Sequence, residues 1–310
     1  MNENSYYSRE NGCQYIFNTY QPFFHLCTPG KLVSNIFPDT PSKELGLNLI
    51  GICTLKTEAF LPIAFALMDD HLHILYSGTQ SSGERFFDSY SSRLARLLGK
   101  EANLSGFIPQ YIEVPDLNAV RNEIAYINRN GYVVHPNHTP FSYPWSSGAI
   151  YFNPYFKHIP SKPYSSLAYM EKRVICRSRD LELPGSLPIL GKVIAPYSFC
   201  YASDIGEKLF RDAHHYFNLL SKNYEAYSEI AKRLGDSVLL PDEEMFGAVR
   251  QICVRQFNVG KPSLLTARDR IEVARRMHYD YNATNKQIQR ILRLEASIVD
   301  EMFPTAVTRY

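Results

Sequence analysis

The chain has 310 residues, of which 45% are hydrophobic and 21% charged, with a formal net charge of +2. That is an ordinary globular composition in a chain long enough for two domains, and so small a net charge makes any nucleic-acid surface local rather than global. Six cysteines (Cys13, Cys27, Cys53, Cys176, Cys200, Cys253) form no C-x-x-C pair, which excludes a disulfide scaffold and predicts reduced thiols in a cytoplasmic protein. The opening residues MNENSYYSRENGCQ lack a basic stretch followed by an apolar core, and nowhere do eighteen apolar residues run together. The expectation is therefore no export signal and no membrane span.

Residues 1–14 are polar and read as loose. QYIFNTYQPFFHLCTPG then predicts an extended entry and a strand over 23–28, closed by the turn signal Pro29-Gly30. Residues 42–58 predict a helix. LPIAFALMDDHLHILYSG, at 61–78, is two apolar runs meeting at an acidic turn, and it predicts a β-hairpin.

SSGERFFDSYSSRLARLLGKE can start at a serine cap. It places Phe86, Tyr90, Leu94, Leu97 and Leu98 on one helical face, with Arg85, Arg93, Arg96 and Lys100 flanking it. A strand over 106–114 and a helix over 116–130, ended by Gly131, complete an α+β layer of helices on a mostly antiparallel sheet. Residues 152–197 turn to proline, serine and tyrosine and predict an irregular connector that leaves room for short strands.

Beyond it, 202–234 and 241–257 carry helical periodicity, with a break at Gly235. LLTARDRIEVARRMHYDYNATNKQIQRILRLEASIVDEMF then gives three short amphipathic helices, with Thr266 and Asp269 capping the first and Asn282 or Thr284 the second. This triplet, about 264–303, has helix-turn-helix proportions. Its cations include Arg275, Arg276, Lys286, Arg290 and Arg293, a footprint of phosphate contact, although interleaved acids dilute it.

Chemistry concentrates in three places. On a strand, His71 and His73 point the same way, so two imidazoles could form half of a metal site. His-x-His also occurs on strands that bind nothing, and the residues alone leave both readings open. Tyr126 and Asn130, four apart on a helix, share a face and would bring a phenol and an amide together if that face meets the histidines. His25, on a neighbouring strand, is a candidate supporting group or a local packing residue. Trp145 reads as a core anchor or a base-stacking platform. His214 and His215 diverge on a helix and do not share a metal.

MDDHLHILYSG, then AYINRNGYVV, then SYPWSSGAIYF resembles the REP-associated tyrosine transposases, a branch of the HUH-type single-tyrosine transposases. FFHLCTPG, ILGKVIAPYSF and NKQIQRILRL resemble the longer, Bacteroidetes-type members. The resemblance implies an HUH-type, ferredoxin-like antiparallel sheet with packed helices at 15–151, then the connector, then an all-α extension at 198–310.

It also implies His71, His73 and Asn130 as ligands of Mg²⁺ or Mn²⁺ and Tyr126 as nucleophile. The implied reaction cleaves and rejoins single-stranded or hairpin-flanked DNA through a 5′-phosphotyrosine, in a monomer or a homodimer. Arg93 and Arg96, with the five C-terminal cations, are the expected DNA contacts. Two departures stand out: Asp69-Asp70 replaces a common Pro-Asn, and Gly131 replaces the proline after the asparagine.

A phenol near pKa 10 is ionised in only about one molecule in a thousand at pH 7, a handicap of roughly 4 kcal/mol, so the chemistry needs an activating cation. Two rival expectations are a catalytically silent hairpin-DNA-binding regulator derived from such a transposase and a metal-dependent hydrolase of small phosphoesters that has no need of Tyr126.

Overall fold

Three apolar stretches, FFHLC, FLPIAFAL and LHILYSG, are almost wholly buried and can only be strands covered on both faces. The computed structural model describes residues 3–28, 36–99, 104, 106–134, 138–139, 141–222, 224–234 and 240–304. The Pro29-Gly30 turn, Lys100 and the Gly235 break lie outside the described residues. The chain divides into two compact units, Met1–Leu220 and Ser221–Tyr310. Each is α-helix-rich, and only the first has strands among its described residues.

The first unit begins with α1 (Glu3–Tyr20), β1 (Phe23–Cys27), α2 (Thr40–Lys56), β2 (Phe60–Leu67) and β3 (Leu72–Gly78). α3 (Gln80–Leu98), β4 (Gln110–Val114) and α4 (Leu117–Val134) follow. The sheet is antiparallel with the order β2-β3-β1-β4, so β1 is a central strand and the hairpin β2–β3 lies to one side of it. Register pairs Cys27 with His73 and His25 with Leu75, which puts His25 and His73 diagonally on one face. On the other face Tyr76 stacks through Phe60 to Phe86, with centroids 4.5 and 4.3 Å apart, and this seats α3 there. α4 covers the histidine face.

Several expectations need correction. Residues 3–20 are helix rather than loose or extended, because Cys13 and Phe17, four apart, give a narrow buried stripe. Phe17 stacks on Phe23 at 5.4 Å, and Glu10 grips the buried Arg121 at 2.8 Å. Tertiary contact supplies what the polar composition lacks. The cap of α3 is Thr79, whose hydroxyl accepts from Ser82 N–H, and Leu97 is exposed whereas Phe87 takes a core place. The strand predicted from 106 is confined to β4.

Gly131 does not end α4. The helix runs on to Val134, and the glycine serves instead as a seat for Tyr143, whose Cδ1 would lie 2.1 Å from a Cβ at that position. Tyr143 in turn donates to Leu67 O at 2.8 Å. Trp145 is half-buried rather than a core anchor. Its segment lies along β2, with Leu67 N–H donating to Trp145 O at 2.9 Å and Ala66 bridging Ser146.

The connector has structure of its own: β5 (Lys162–Pro163), α5 (Tyr169–Cys176), β6 (Pro188–Leu190) and β7 (Val193–Ile194), with the strands in one small sheet. Asn48 of α2 ties it down by donating to Lys192 O at 2.9 Å and accepting from Ile194 N–H at 2.8 Å. The predicted helix over 202–234 starts as a π turn and a 3₁₀ turn at Ala202–Leu209. Only then come α6 (Ala213–Lys222) and α7 (Tyr224–Leu234). The division between the two compact units falls after Leu220.

The second unit adds α8 (Asp242–Phe257), α9 (Ala267–Tyr281), α10 (Asn285–Leu292) and α11 (Ala296–Met302). Thr266 caps α9 by accepting from Asp269 N–H, and Thr284 caps α10 with Gln287 in a capping box. Asn282 does not cap α10. It ends α9 in the left-handed region, φ 51°, as Arg293 ends α10 at φ 52°. Val273, Met277, Tyr281, Ile288, Leu292, Val299 and Phe303 fill the core of this triplet.

All six cysteines are buried free thiols, and among the described residues no helix is long and apolar enough to cross a membrane.

Candidate metal and tyrosine centre

β1 and β3 supply one wall of the site and α4 the other. Glu123, Tyr126 and Asn130 sit at i, i+3 and i+7 of α4, which places them on one face. That face meets the imidazoles. Glu123 Oε2 lies 2.7 Å from His25 Nδ1, and His25 Nε2 lies 3.0 Å from His73 Nδ1. At the far end Asn130 Nδ2 lies 3.5 Å from His73 Nε2. The Tyr126 ring stands edge-on to both histidines, 5.7 Å from His73 and 6.4 Å from His25 by centroids.

His71 precedes β3 by one residue. Its Nδ1 lies 2.5 Å from Asp70 Oδ1, and its ring is 4.9 Å from that of His73 at 87°. The acidic turn is held from the other side by Lys43, whose Nζ lies 2.5 Å from Asp69 Oδ1. Asp70 therefore orients a histidine and Asp69 pairs with a lysine. The Tyr143 phenol, also beside this turn, is pushed up in pKa by burial and then by the Asp69 charge, so it stays neutral.

With neutral imidazoles, one assignment of the protons satisfies these contacts. An ionised Glu123 takes the Nδ1 hydrogen of His25, which leaves Nε2 of a neutral His25 as an acceptor. His73 must then donate from Nδ1, and its Nε2 lone pair is left facing Asn130. His71 engages Asp70 through Nδ1, so Nε2 is the nitrogen not taken up by that contact. An imidazole tied at one nitrogen to a carboxylate, directly or through another ring, and free at the other is the usual state of a metal-binding histidine.

Among the described residues no group of three His, Cys, Asp or Glu side chains could hold a metal ion. The donor set is two imidazoles plus the Asn130 amide, which can present Oδ1 by a flip. This mixed nitrogen and oxygen set fits a divalent ion, so the residues present are compatible with Mg²⁺ or Mn²⁺.

Tyr126 is 1% exposed, and His25 and Glu123 are fully buried. α4 is anchored on the same unit by Arg121, which donates to Leu209 O at 2.6 Å, and by Asn128, which donates to the Tyr216 hydroxyl at 3.0 Å and accepts from Ser147 at 2.5 Å. Asn128 is thus a packing amide, and Asn130, two residues on, faces the histidines. Sequence reasoning leaves His25 open and misses Glu123. Two signals point to them: a histidine inside an otherwise apolar five-residue strand, and a glutamate on the buried face of an amphipathic helix, three residues before the tyrosine.

Of the expected DNA-contacting cations, the two in the first unit do not join this centre. Arg93 and Arg96 lie on α3, across the sheet from it. In the second unit Arg275 pairs with Glu272 at 3.8 Å, Arg276 with Asp280 at 3.3 Å, and Arg290 with Asp242. Lys286 and Arg293 are exposed and, among the described residues, have no carboxylate partner. His214 is exposed and His215 half-buried against Arg211, in keeping with separate roles.

No protein-family model matches the chain, and no curated protein or solved structure matches it.

Proposed function

We propose that the first unit is an HUH-type tyrosine nuclease domain and that the protein is a transposase which cleaves and rejoins single-stranded, hairpin-flanked DNA. The observation that carries this reading is the α4 face. One helix delivers a phenol and an amide to the same imidazole pair, Tyr126 at 5.7 Å from the His73 ring and Asn130 at 3.5 Å from its Nε2. A hydrolase of small phosphoesters would need the histidines and the amide but not the phenol.

In this reading His71, His73 and Asn130 would hold Mg²⁺ or Mn²⁺, and the ion would supply Lewis-acid polarisation of the scissile phosphate. Tyr126 is the nucleophile. Its Oη forms a bond to phosphorus as the P–O3′ bond breaks, and the phenol proton is balanced by the proton taken up on the 3′ oxygen. The product is a 5′-phosphotyrosine with a free 3′-hydroxyl. Attack by another 3′-hydroxyl reverses the step and rejoins the strand without ATP. In this proposal Asp70 and the Glu123–His25 pair act at one remove, engaging each imidazole at Nδ1 so that Nε2 is the nitrogen that would meet the ion.

The burial of Tyr126 favours a second reading, a hairpin-DNA-binding regulator derived from such a transposase that no longer turns over. One experiment separates them. The full chain is incubated with labelled hairpin oligonucleotides drawn from repeats flanking its gene, with Mg²⁺ or Mn²⁺, beside Tyr126→Phe and His71→Ala. A covalent adduct on a denaturing gel, abolished in both variants, is the expected result. Tight hairpin binding with no adduct establishes the regulator, and phosphoester turnover that survives Tyr126→Phe establishes the hydrolase.

A further inference from the structure

Arg93 and Arg96, in the last turns of α3, and Arg177 and Arg179, in the segment that leaves α5, line one cavity of about 300 Å³. It lies on the α2–α3 side of the sheet, away from His73 and Tyr126. Among the described residues, none of these four guanidinium groups has a hydrogen-bond or ion-pair partner. The acid next in sequence, Asp180, is bonded by Lys56 Nζ at 2.5 Å, and its charge also acts on Arg93 without reaching it as an ion pair.

Helix ends alone do not account for this. The C-termini of α3 and α5 both favour nearby cations, but each carries only about half a negative charge. Two such ends offset about one of the four positive charges. The rest repel one another in a shared cleft, an arrangement that an anion would relieve.

Guanidinium groups present paired N–H donors that match phosphate oxygens, and phosphate is the anion that several arginines together recognise best. The volume is at the small end of ligand pockets, which run from about 300 to 1,000 Å³. It suits phosphate groups rather than a large cofactor, and Leu49 and Leu97 give it an apolar wall.

We propose that this cavity is a second, non-catalytic site that binds phosphate groups, contributed either by the backbone of a nucleic-acid strand or by a free phosphate compound. The site stands on these four charges and does not depend on how the histidine and tyrosine centre is read.

The test measures pyrophosphate binding to the full chain by calorimetry at low salt, and single-stranded oligonucleotide binding by fluorescence anisotropy across a salt series. The proteins are the wild type, Arg93→Gln/Arg177→Gln, Arg96→Gln/Arg179→Gln and, as a control outside the cavity, Arg250→Gln, an exposed residue of α8. Thermal melts check that removing unpartnered side chains leaves the fold intact.

Pyrophosphate binding weakened at least ten-fold in both double variants, and unchanged in the control, is expected. If a strand is the source, the slope of log K against log salt also shrinks by about 1.4 in each double variant, at about 0.7 for each phosphate that is no longer neutralised. A slope that stays the same while pyrophosphate binding disappears identifies a free phosphate compound as the source. Pyrophosphate bound equally well by wild type and double variants, or by none of them, overturns the proposal.

Discussion

His25 Nε2 stands 3.0 Å from His73 Nδ1, inside a relay that starts at the buried carboxylate of Glu123 and ends at the amide of Asn130. The relay determines which nitrogen of His73 is available. His25→Leu removes both ring nitrogens, so the bond to His73 Nδ1 is lost and the His73 tautomer is no longer imposed. Removing such a support typically weakens metal binding about 10–100-fold. Mn²⁺ titration followed by electron paramagnetic resonance should show a shift of that size, with hairpin-DNA affinity unchanged. Glu123→Gln, which keeps an acceptor oxygen but loses the charge, should give a smaller shift.

Gly131→Ala tests the seat beneath Tyr143. In an open helix the change would stabilise by roughly 0.5–1 kcal/mol. Here the new methyl carbon would lie 2.1 Å from Tyr143 Cδ1, on a ring fixed by its bond to Leu67 O. Overpacking of this kind costs about 1–3 kcal/mol. Urea denaturation should therefore show a net loss of stability, and Gly131→Ala combined with Tyr143→Leu should recover part of it.

These two sites also show what the sequence can reveal. The hairpin, the capped helices and the pairing of His71 with His73 follow from period and local chemistry, which neighbouring residues encode. The continuation of α4 through Gly131 does not, because its cause, the Tyr143 ring, lies twelve positions away. The helix at 3–20 is hidden for the same reason: its stabilising partners, Phe23 and Arg121, belong to other elements. In the candidate site, Tyr126 and Asn130 are legible as neighbours four apart. Glu123 becomes recognisable as part of the site only through its bond to His25, 98 residues earlier in the chain.

A pH-dependent stability is expected from His215. Its pKa is pushed down to about 4, first by burial and then by the charges of Arg211 and Arg121. The Arg211 N–H also donates to Nδ1 at 3.5 Å, which the neutral ring alone can accept. In the unfolded chain the same group titrates near 6.5. Between these values the unfolded state binds more protons, so stability is fully present above pH 6.5, falls as pH drops towards 4, and levels off below. The full shift corresponds to about 3 kcal/mol, and solvent at this half-buried site reduces it to about 1–2 kcal/mol. His215→Gln should flatten this part of the profile in thermal melts between pH 7 and pH 4.

Asn130 offers the sharpest separation of metal holding from nucleophilic attack. It shares the α4 face with Tyr126, but its side chain points at His73 Nε2, 3.5 Å away. Asn130→Ala removes one neutral oxygen donor and leaves both imidazoles and the phenol in place. If Asn130 is a ligand as proposed, the two imidazoles left in the variant hold a divalent ion weakly, and the Mn²⁺ concentration for half-maximal adduct formation should rise about ten-fold or more. Adduct formation at saturating Mn²⁺ should recover to a large part of the wild-type level. Tyr126→Phe behaves in the opposite way, with Mn²⁺ binding retained and no adduct at any concentration. Chelation with EDTA should abolish the adduct in every form. If Asn130→Ala leaves the Mn²⁺ requirement unchanged, the amide is not a ligand, and its approach to His73 serves only to hold the ring.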